Sequence, residues 1–200
     1  MRRAAIEKLK APALDAALLA LCCLPLGWSA WQLLTDQLGP DPAKMLMQST
    51  GGWGLRGLTI VLLAAPLSRW GYRFILRYRR MLGVVTFSYA SVHLLLFAQV
   101  YVGWSSVLLV EELRERPYVL VGFAAWLCLL LLAVTSTDRA RRSMGKSWRS
   151  LHKLIYPATV LAWLHLLWLA RSDVGEVVVY GLVFGLLLGW RMVRRRRLAA

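Results

Sequence analysis

The stretch WRSLHKLIYPATVLAWLHLLWLAR, from Trp148 to Arg171, is apolar enough to predict one membrane-crossing helix, and it carries two of the protein's three histidines. His152 lies near its basic end, and His165 follows 13 positions later. At about 1.5 Å rise per residue, the two lie about 20 Å apart along the axis, towards opposite faces of a bilayer core about 30 Å thick. The third histidine, His93, lies in another apolar stretch. Because ionisable side chains inside a membrane are costly and rare, all three are candidate ligands.

The composition is that of an integral membrane protein. Of the 200 residues, 58% are hydrophobic, against about 45–50% in a typical soluble domain, and the apolar residues fall in long blocks separated by short polar joints. The formal net charge of +15 would suggest nucleic-acid binding in a soluble protein. Here the basic residues cluster at the ends of the apolar blocks, as topology signals do, so no nucleic-acid partner is expected.

Six apolar blocks predict an all-α bundle of six transmembrane helices, forming one domain over residues 1–200. The expected spans are 13–34, 53–67, 81–102, 118–134, 149–170 and 174–192. Cys22, Cys23 and Cys128 lie inside these spans without a CxxC pair, so neither a disulfide framework nor an iron–sulfur site is indicated.

The distribution of Lys and Arg predicts the orientation. Of the 25 such residues, only five fall on one side of the six spans, namely Lys44, Arg56, Arg114, Arg116 and Arg171. Since the cytoplasmic loops of membrane proteins carry the excess of Lys and Arg, both termini are expected in the cytoplasm.

Counting residues from the basic boundaries places His93 and His165 at one depth. His93 lies 13 residues past Arg80, and His165 lies 13 residues past His152, which sits just inside the same boundary. Two imidazoles level on facing helices are what a bis-histidine haem needs, because iron takes one axial nitrogen from each side. Alternatively, they are packing histidines that form hydrogen bonds across the bundle.

His152 and Arg79 are candidates at the other depth. On an ideal helix, 13 steps turn His152 about 140° away from the face of His165, although Pro157 could alter that phase. Arg79 lies 14 residues before His93, within about 40° of the same face. A guanidinium stays protonated and cannot realistically ligate iron, but it could neutralise a haem propionate or a flavin phosphate. The alternative is a plain topology charge.

Several stretches of the chain resemble the MsrQ family (also called YedZ), which belongs to the wider ferric-reductase-like transmembrane group. They are GPDPAKMLMQSTG at 39–51, APLSR at 65–69, RYRRMLGVVTFSYASVHL at 77–94, ERPYVLVG at 115–122, TSTDRARRSMGKSWRSLHKLIY at 135–156 and LAWLHLLW at 161–168. These stretches extend over nearly the whole chain and include every histidine.

The resemblance implies a haem-binding membrane subunit that holds b-type haem and associates with FMN. It implies electrons drawn from the quinone pool, or from a cytosolic flavin reductase, and passed to MsrP, a soluble periplasmic molybdopterin-containing enzyme that reduces methionine sulfoxide in proteins. The sulfoxide chemistry would then belong to that partner. His93, His152 and His165 match the family's histidines, whereas Arg79 stands where the wider group has a fourth histidine, which argues against a full second bis-histidine haem.

Two other functions remain open on the sequence. One is a self-contained membrane reductase, or a b-type cytochrome subunit of another oxidoreductase, that delivers electrons to ferric ions or another small acceptor. The other is a small transporter, which would need a midplane polar site on broken helices, usually with internal repeats; neither is evident in the sequence.

We expect reporter fusions to place the C-terminal RRRR run and the joints 68–80 and 135–148 in the cytoplasm, and the joint 103–117 outside, because of the charge asymmetry. Alkaline phosphatase and green fluorescent protein fusions at each joint would measure this. A fusion that placed 103–117 in the cytoplasm would contradict the assigned orientation.

Overall fold

The computed structural model describes residues 2–170 and 174–199, and the side chains of 13–170 and 174–194 within them. Arg171, the last residue of the stretch quoted above, lies outside the described residues. The described elements are all helical. They are α1 (Arg2–Leu34), α2 (Pro42–Leu67), α3 (Ile75–Phe97, continued by a π-helical turn, Ala98–Val102), α4 (Ser106–Glu115), α5 (Pro117–Val134), α6 (Asp138–Met144), α7 (Lys146–Leu151), a 3₁₀ turn (His152–Leu154), α8 (Ile155–Leu169) and α9 (Gly175–Ala199).

Among the described residues, four helices are long and apolar enough to cross a membrane. They cover Ala13–Leu34, Ile75–Val102, Pro117–Val134 and Gly175–Arg194. These four agree closely with four of the six predicted spans. The segments predicted to span at 53–67 and 149–170 are helical too, but each differs from the prediction.

Helix α2 begins at Pro42, well before the predicted start near residue 53. The carboxylate of Asp41 accepts a hydrogen bond from the backbone N–H of Lys44 at 3.0 Å, and Pro42 occupies the first helical turn. An Asp cap followed by Pro is a strong helix start, since the cap satisfies a free N–H and Pro has none to satisfy. The joint expected between the spans 13–34 and 53–67 is therefore shorter than predicted, because residues 42–52 belong to α2.

The prediction that the stretch from Trp148 forms one continuous helix was wrong. Helix α7 ends at Leu151, and α8 begins at Ile155. Pro157 explains the interruption: it has no N–H to donate to Lys153, and its ring crowds that carbonyl. The 3₁₀ turn His152–Leu154 connects α7 to α8. Helix α8 alone has 15 residues, fewer than the roughly 20 that a straight crossing needs.

The bundle packs in pairs, with α2 along α3 and α5 along α8. Helix α3 also packs on α5, and α9 packs on α8 and α2. Their shared core contains Leu58, Leu62, Leu129, Ile155, Ala158 and Phe184. This arrangement brings α3 and α8, which carry His93 and His165, into the centre of one bundle.

Two exposed ion pairs link the basic joints to neighbouring helices. Arg77 donates to both carboxylate oxygens of Asp15 at 2.9 Å, and Arg80 donates to Asp138 at 2.7 Å. The hydrogen bond from Arg80 lowers the pKa of the Asp138 carboxyl. Both pairs are about half exposed, so they orient α3 more than they stabilise it.

Helices α2 and α3 approach most closely at Gly57. A Cβ atom there would collide with Oγ1 of Thr86 and lie 3.2 Å from its Cβ. Thr86 is held in place, since its hydroxyl donates to the Leu82 carbonyl at 2.7 Å. Small residues at such crossings let helix backbones pack closely in membranes.

We expect Gly57→Ala to destabilise the protein by about 1–3 kcal/mol, because the added methyl group overpacks the crossing with α3. The matched control is Gly54→Ala on the same helix, where an added Cβ meets nothing within 4 Å and the stability should stay the same or rise slightly. Thermal unfolding of both variants in detergent would measure this. Equal melting temperatures for the two variants would contradict the close crossing.

Candidate metal-binding site

His93 is held on α3 by the first half of α2. Its Nδ1–H donates to the Met47 carbonyl at 3.1 Å, and the Thr50 hydroxyl lies 3.4 Å from the same nitrogen. The ring lies against Gly51, where a Cβ would be 3.2 Å from Cε1 and Nδ1 of the histidine. Helix α2 therefore supplies both the hydrogen-bond acceptor and the space for this imidazole.

His165 is held on α8 by α5 in the same way. Its Nδ1–H donates to the Tyr118 carbonyl at 2.7 Å. The ring lies against Gly122, where a Cβ would be 2.7 Å from Nδ1 and 2.8 Å from Cε1. Any side chain at Gly122 would displace the imidazole.

The two imidazole rings face each other across the bundle. Their centroids are 6.2 Å apart and their planes are nearly perpendicular, at 88°. Because each Nδ1 carries the proton given to a carbonyl, each Nε2 keeps a free lone pair. Metal–imidazole bonds are about 2 Å long, so two imidazoles on opposite sides of one ion bring their centroids to about 6 Å. The spacing of this pair fits such an ion.

The donor set favours a haem iron over a bare ion. No group of three or more His, Cys, Asp or Glu that could hold a metal occurs among the described residues. A structural zinc site needs four protein ligands, whereas a haem iron takes its equatorial ligands from the macrocycle and two axial ones from the protein. The site thus fits the axial pair expected from the sequence.

His152 lies elsewhere, in the 3₁₀ turn. Its ring stacks on Trp148 with centroids 3.9 Å apart, and its Nδ1–H donates to the Trp148 carbonyl at 3.2 Å. The ring is half-buried and interacts electrostatically with Arg79. The structure thus brings His152 and Arg79 into one neighbourhood, and the contacts described for His152 do not include the other two histidines.

The neighbourhood of Arg79 contains a second arginine that sequence reasoning counted only as a topology charge. Arg191 of α9 is 9% exposed and donates from Nη2 to the Leu62 carbonyl at 2.7 Å. That carbonyl is free because the residue four positions on is Pro66, which has no N–H to donate. Arg191 lies near enough to Arg79 for their charges to repel each other. An arginine within the last apolar block was the signal that could have identified it.

Gly51 and Gly122 were also missed. Each makes room for a histidine of another helix, and nothing in the neighbouring sequence of either glycine indicates which helix it will face. The carbonyls of Met47 and Tyr118 were missed for the same reason.

Comparison with known proteins identifies the family of the chain. The model of the family described as "Ferric reductase like transmembrane component" matches residues 50–163, a segment that includes Arg79, His93 and His152 and ends two residues before His165. No solved structure matches the chain.

The curated relatives match over most of their length. A "Protein-methionine-sulfoxide reductase heme-binding subunit MsrQ" from Xanthomonas campestris pv. campestris (strain B100) is 45% identical, covering 92% of this chain and 85% of the relative. Proteins of the same name from Xanthomonas euvesicatoria pv. vesicatoria (strain 85-10) and Azospira oryzae are 44% and 39% identical, covering 85% and 93% of this chain and 80% and 81% of theirs. The chain belongs to the MsrQ family of ferric-reductase-like transmembrane proteins.

Proposed function

We propose that this chain is the haem-containing electron-transfer subunit of a membrane methionine-sulfoxide reductase system. The observation that carries the proposal is the facing pair His93 and His165, with ring centroids 6.2 Å apart. The names of the relatives, which describe haem-binding subunits, support it. When bound, a b-type haem supplies one-electron redox chemistry.

The chain's own residues fix the two axial ligands. The Met47 and Tyr118 carbonyls accept the Nδ1–H of each imidazole, which selects the tautomer with Nε2 free and makes that nitrogen a better donor. His93 and His165 would hold the haem iron, and a haem held by two histidines would supply electron transfer and not substrate binding. A site of this kind passes electrons and does not reduce a sulfoxide directly, so that reaction belongs to a partner.

The orientation and the six crossings are part of the proposal. Helix α2 forms one of the two further crossings, and α7, the 3₁₀ turn and α8 together form the other. Both termini lie in the cytoplasm of a bacterium, and the chain lies in its inner membrane. The charge distribution supports this, since the two termini and the two basic joints, counted up to Arg80 and Lys153, carry 20 of the 25 Lys and Arg residues. The histidine pair then lies in the outer half of the membrane.

The direction of transfer belongs to the proposal through the family resemblance. Electrons enter from the quinone pool or a cytosolic flavin reductase and leave on the periplasmic side to a molybdopterin-containing reductase of the MsrP type. FMN, at a site involving His152 and Arg79, belongs to the proposal through the family resemblance. The Arg79 charge beside His152 supports an anionic cofactor there.

We expect His93→Ala and His165→Ala each to lose nearly all low-spin haem, because each removes one of two axial ligands at a depth with no replacement. The double variant should be little worse than either single one, since the two ligands act as a unit. Haem content and visible spectra of the purified proteins would measure this.

His152→Ala is the matched control and should keep the low-spin spectrum of that haem. In His93→Gly, added imidazole should restore the spectrum by entering the vacated position. Normal low-spin haem in either His93→Ala or His165→Ala would show that the facing pair does not hold the iron. A purified subunit that reduced ferric chelates efficiently without a partner would instead favour the self-contained reductase.

We expect Gly122→Ala to weaken haem binding by about 10–100-fold, the usual cost of disturbing the groups that orient a metal ligand. The added methyl group would lie 2.7 Å from Nδ1 of His165 and push the ring off its carbonyl acceptor. Gly83→Ala on α3, where an added Cβ meets nothing within 4 Å, is the control and should leave the spectrum unchanged. Haem titration of the apoproteins would compare them, and equal affinities would remove the role assigned to Gly122.

A further inference from the structure

The end of α3 beyond His93, which is its outer end in the proposed orientation, leads to an exposed tryptophan with a strained backbone. Trp104 has a φ of 61° and directly follows Gly103, which has a φ of 57°. A bulky residue in this left-handed region is rare and costs stability, and such strain is found mainly at functional sites. Trp104 is 63% exposed, so burial of its ring does not offset the strain.

The indole of Trp104 is fixed in position although it is exposed. Its Nε1–H donates to Oε1 of Gln99 at 2.6 Å, and Gln99 lies in the π-helical turn Ala98–Val102, a kind of turn that is frequent at functional sites. A tryptophan that only anchors a helix at the membrane surface directs its polar end towards water and lipid head groups. Because the N–H of Trp104 is used inside the protein, this side chain offers an apolar, immobilised ring to its surroundings.

Aromatic side chains line α3 from His93 to this surface. Phe97 lies four residues past His93 and therefore on the same face of the helix. Its ring stacks on the ring of Tyr101, with centroids 5.7 Å apart and planes at 22°. Tyr101 is exposed and lies about 12 Å past His93 along the helix axis. The surface formed by Tyr101 and Trp104 is thus close to the histidine pair.

The charge on this side of the bundle limits what can cover that surface. Seven of the ten Asp and Glu residues, but only five of the 25 Lys and Arg residues, fall on the side predicted to be outside. The seven are Asp36, Asp41, Glu111, Glu112, Glu115, Asp173 and Glu176. The outer side is therefore slightly negative in a protein whose net charge is +15.

Helix α4 brings part of this negative charge next to the aromatic surface. It begins two residues after Trp104 and packs against the π-helical turn. Glu111 and Glu115 are exposed on it, together with Arg114, whereas Glu112 pairs with Arg116 at 3.1 Å. Exposed carboxylates do not favour contact with an anionic lipid surface, but they complement a basic protein surface.

We propose that Tyr101 and Trp104, together with Glu111 and Glu115, form the docking surface for a soluble electron-accepting protein with a basic face around its redox centre. Immobilised aromatic anchors bordered by charged residues are typical of the positions that dominate binding at protein interfaces. The inference rests on the proposed function, since it places the acceptor beyond the histidine pair. One electron leaves the donor centre in the bundle, which is oxidised, and reduces the acceptor, and no bond in Tyr101 or Trp104 forms or breaks.

The test measures binding of the full-length protein in nanodiscs to the soluble methionine-sulfoxide reductase of the same bacterium, by biolayer interferometry. Trp104→Gly removes the indole and relieves the backbone, because glycine adopts a positive φ without strain. Trp31→Ala is the matched control, since Trp31 lies near the outer end of α1 and is exposed to a similar extent, at 57%. Glu111→Lys reverses one charge of α4, and Glu176→Lys makes the same change of charge on the exposed start of α9.

We expect Trp104→Gly to weaken binding at least tenfold and to unfold at the same or a higher temperature than the wild type, while Trp31→Ala binds as the wild type does. Glu111→Lys should weaken binding severalfold at low salt and more than Glu176→Lys does. That difference should disappear at about 0.5 M salt, because salt screens exposed charges. The haem spectrum should be the same in all variants, and its absence from the wild type would contradict the proposed function independently of the binding data.

Unchanged binding in both Trp104→Gly and Glu111→Lys would overturn the docking surface, as would a wild-type protein that does not bind the reductase. Unchanged binding with a lower unfolding temperature in Trp104→Gly would assign Trp104 to the lipid interface instead. Should Trp104→Gly fail to fold, Tyr101→Ala takes its place, with the same tenfold loss expected and unchanged binding counting against the proposal.

Discussion

The separation of the His93 and His165 rings depends on two helix pairs that each meet through glycine. The ring of His93 occupies space left by Gly51 on α2, and the ring of His165 occupies space left by Gly122 on α5. Each supporting helix also accepts the Nδ1–H of its histidine. Four helices therefore set one distance of 6.2 Å, and a shift of any of them would change the geometry offered to a metal. The packing of these helices therefore also sets the distance between the two candidate ligands.

At the basic end of the bundle, away from the histidine pair, two prolines each leave a backbone carbonyl without its helical donor. Inside a bilayer an unsatisfied carbonyl is costly and must find a donor within the protein. Pro66 frees Leu62, and Arg191 supplies the donor from α9. Pro157 interrupts the ladder at Lys153, and the 3₁₀ turn places His152 beside Trp148. The polar groups at the basic end thus follow from two breaks in helical hydrogen bonding.

The sequence predicted those features of the site that depend on position along a single helix, namely which histidines are candidates and how deep they lie. The scarcity of histidine drew attention to His93 and His165, and equal residue counts from the basic boundaries predicted that they lie level. The structure places their rings next to each other, with centroids 6.2 Å apart and nearly perpendicular planes. Membership of the MsrQ family, expected from the quoted stretches, is confirmed by the relatives. Four of the six predicted spans agree with helices able to cross a membrane.

What the sequence did not reveal depends on contacts between helices. Gly122 differs from other glycines only because α8 lies against it, and Arg191 differs from the arginines of the tail because a carbonyl of α2 lies within reach. The two errors of helix assignment were local. Helix α2 begins at Pro42, well before the expected span at 53–67, and a 3₁₀ turn close to Pro157 interrupts the stretch that was expected to form one helix.

The two ends of the bundle also differ in how the membrane potential acts on an electron. In the proposed orientation, an electron moving from the neighbourhood of Arg79 to the histidine pair travels away from the negatively charged interior of the cell. Fourteen residues of α3 correspond to about 21 Å, or about two-thirds of the bilayer core. Since a full crossing is worth about 2.3 kcal/mol per 100 mV, this step gains about 1.5 kcal/mol per 100 mV. Uncompensated arginines at the entry end would oppose it, because they attract the electron.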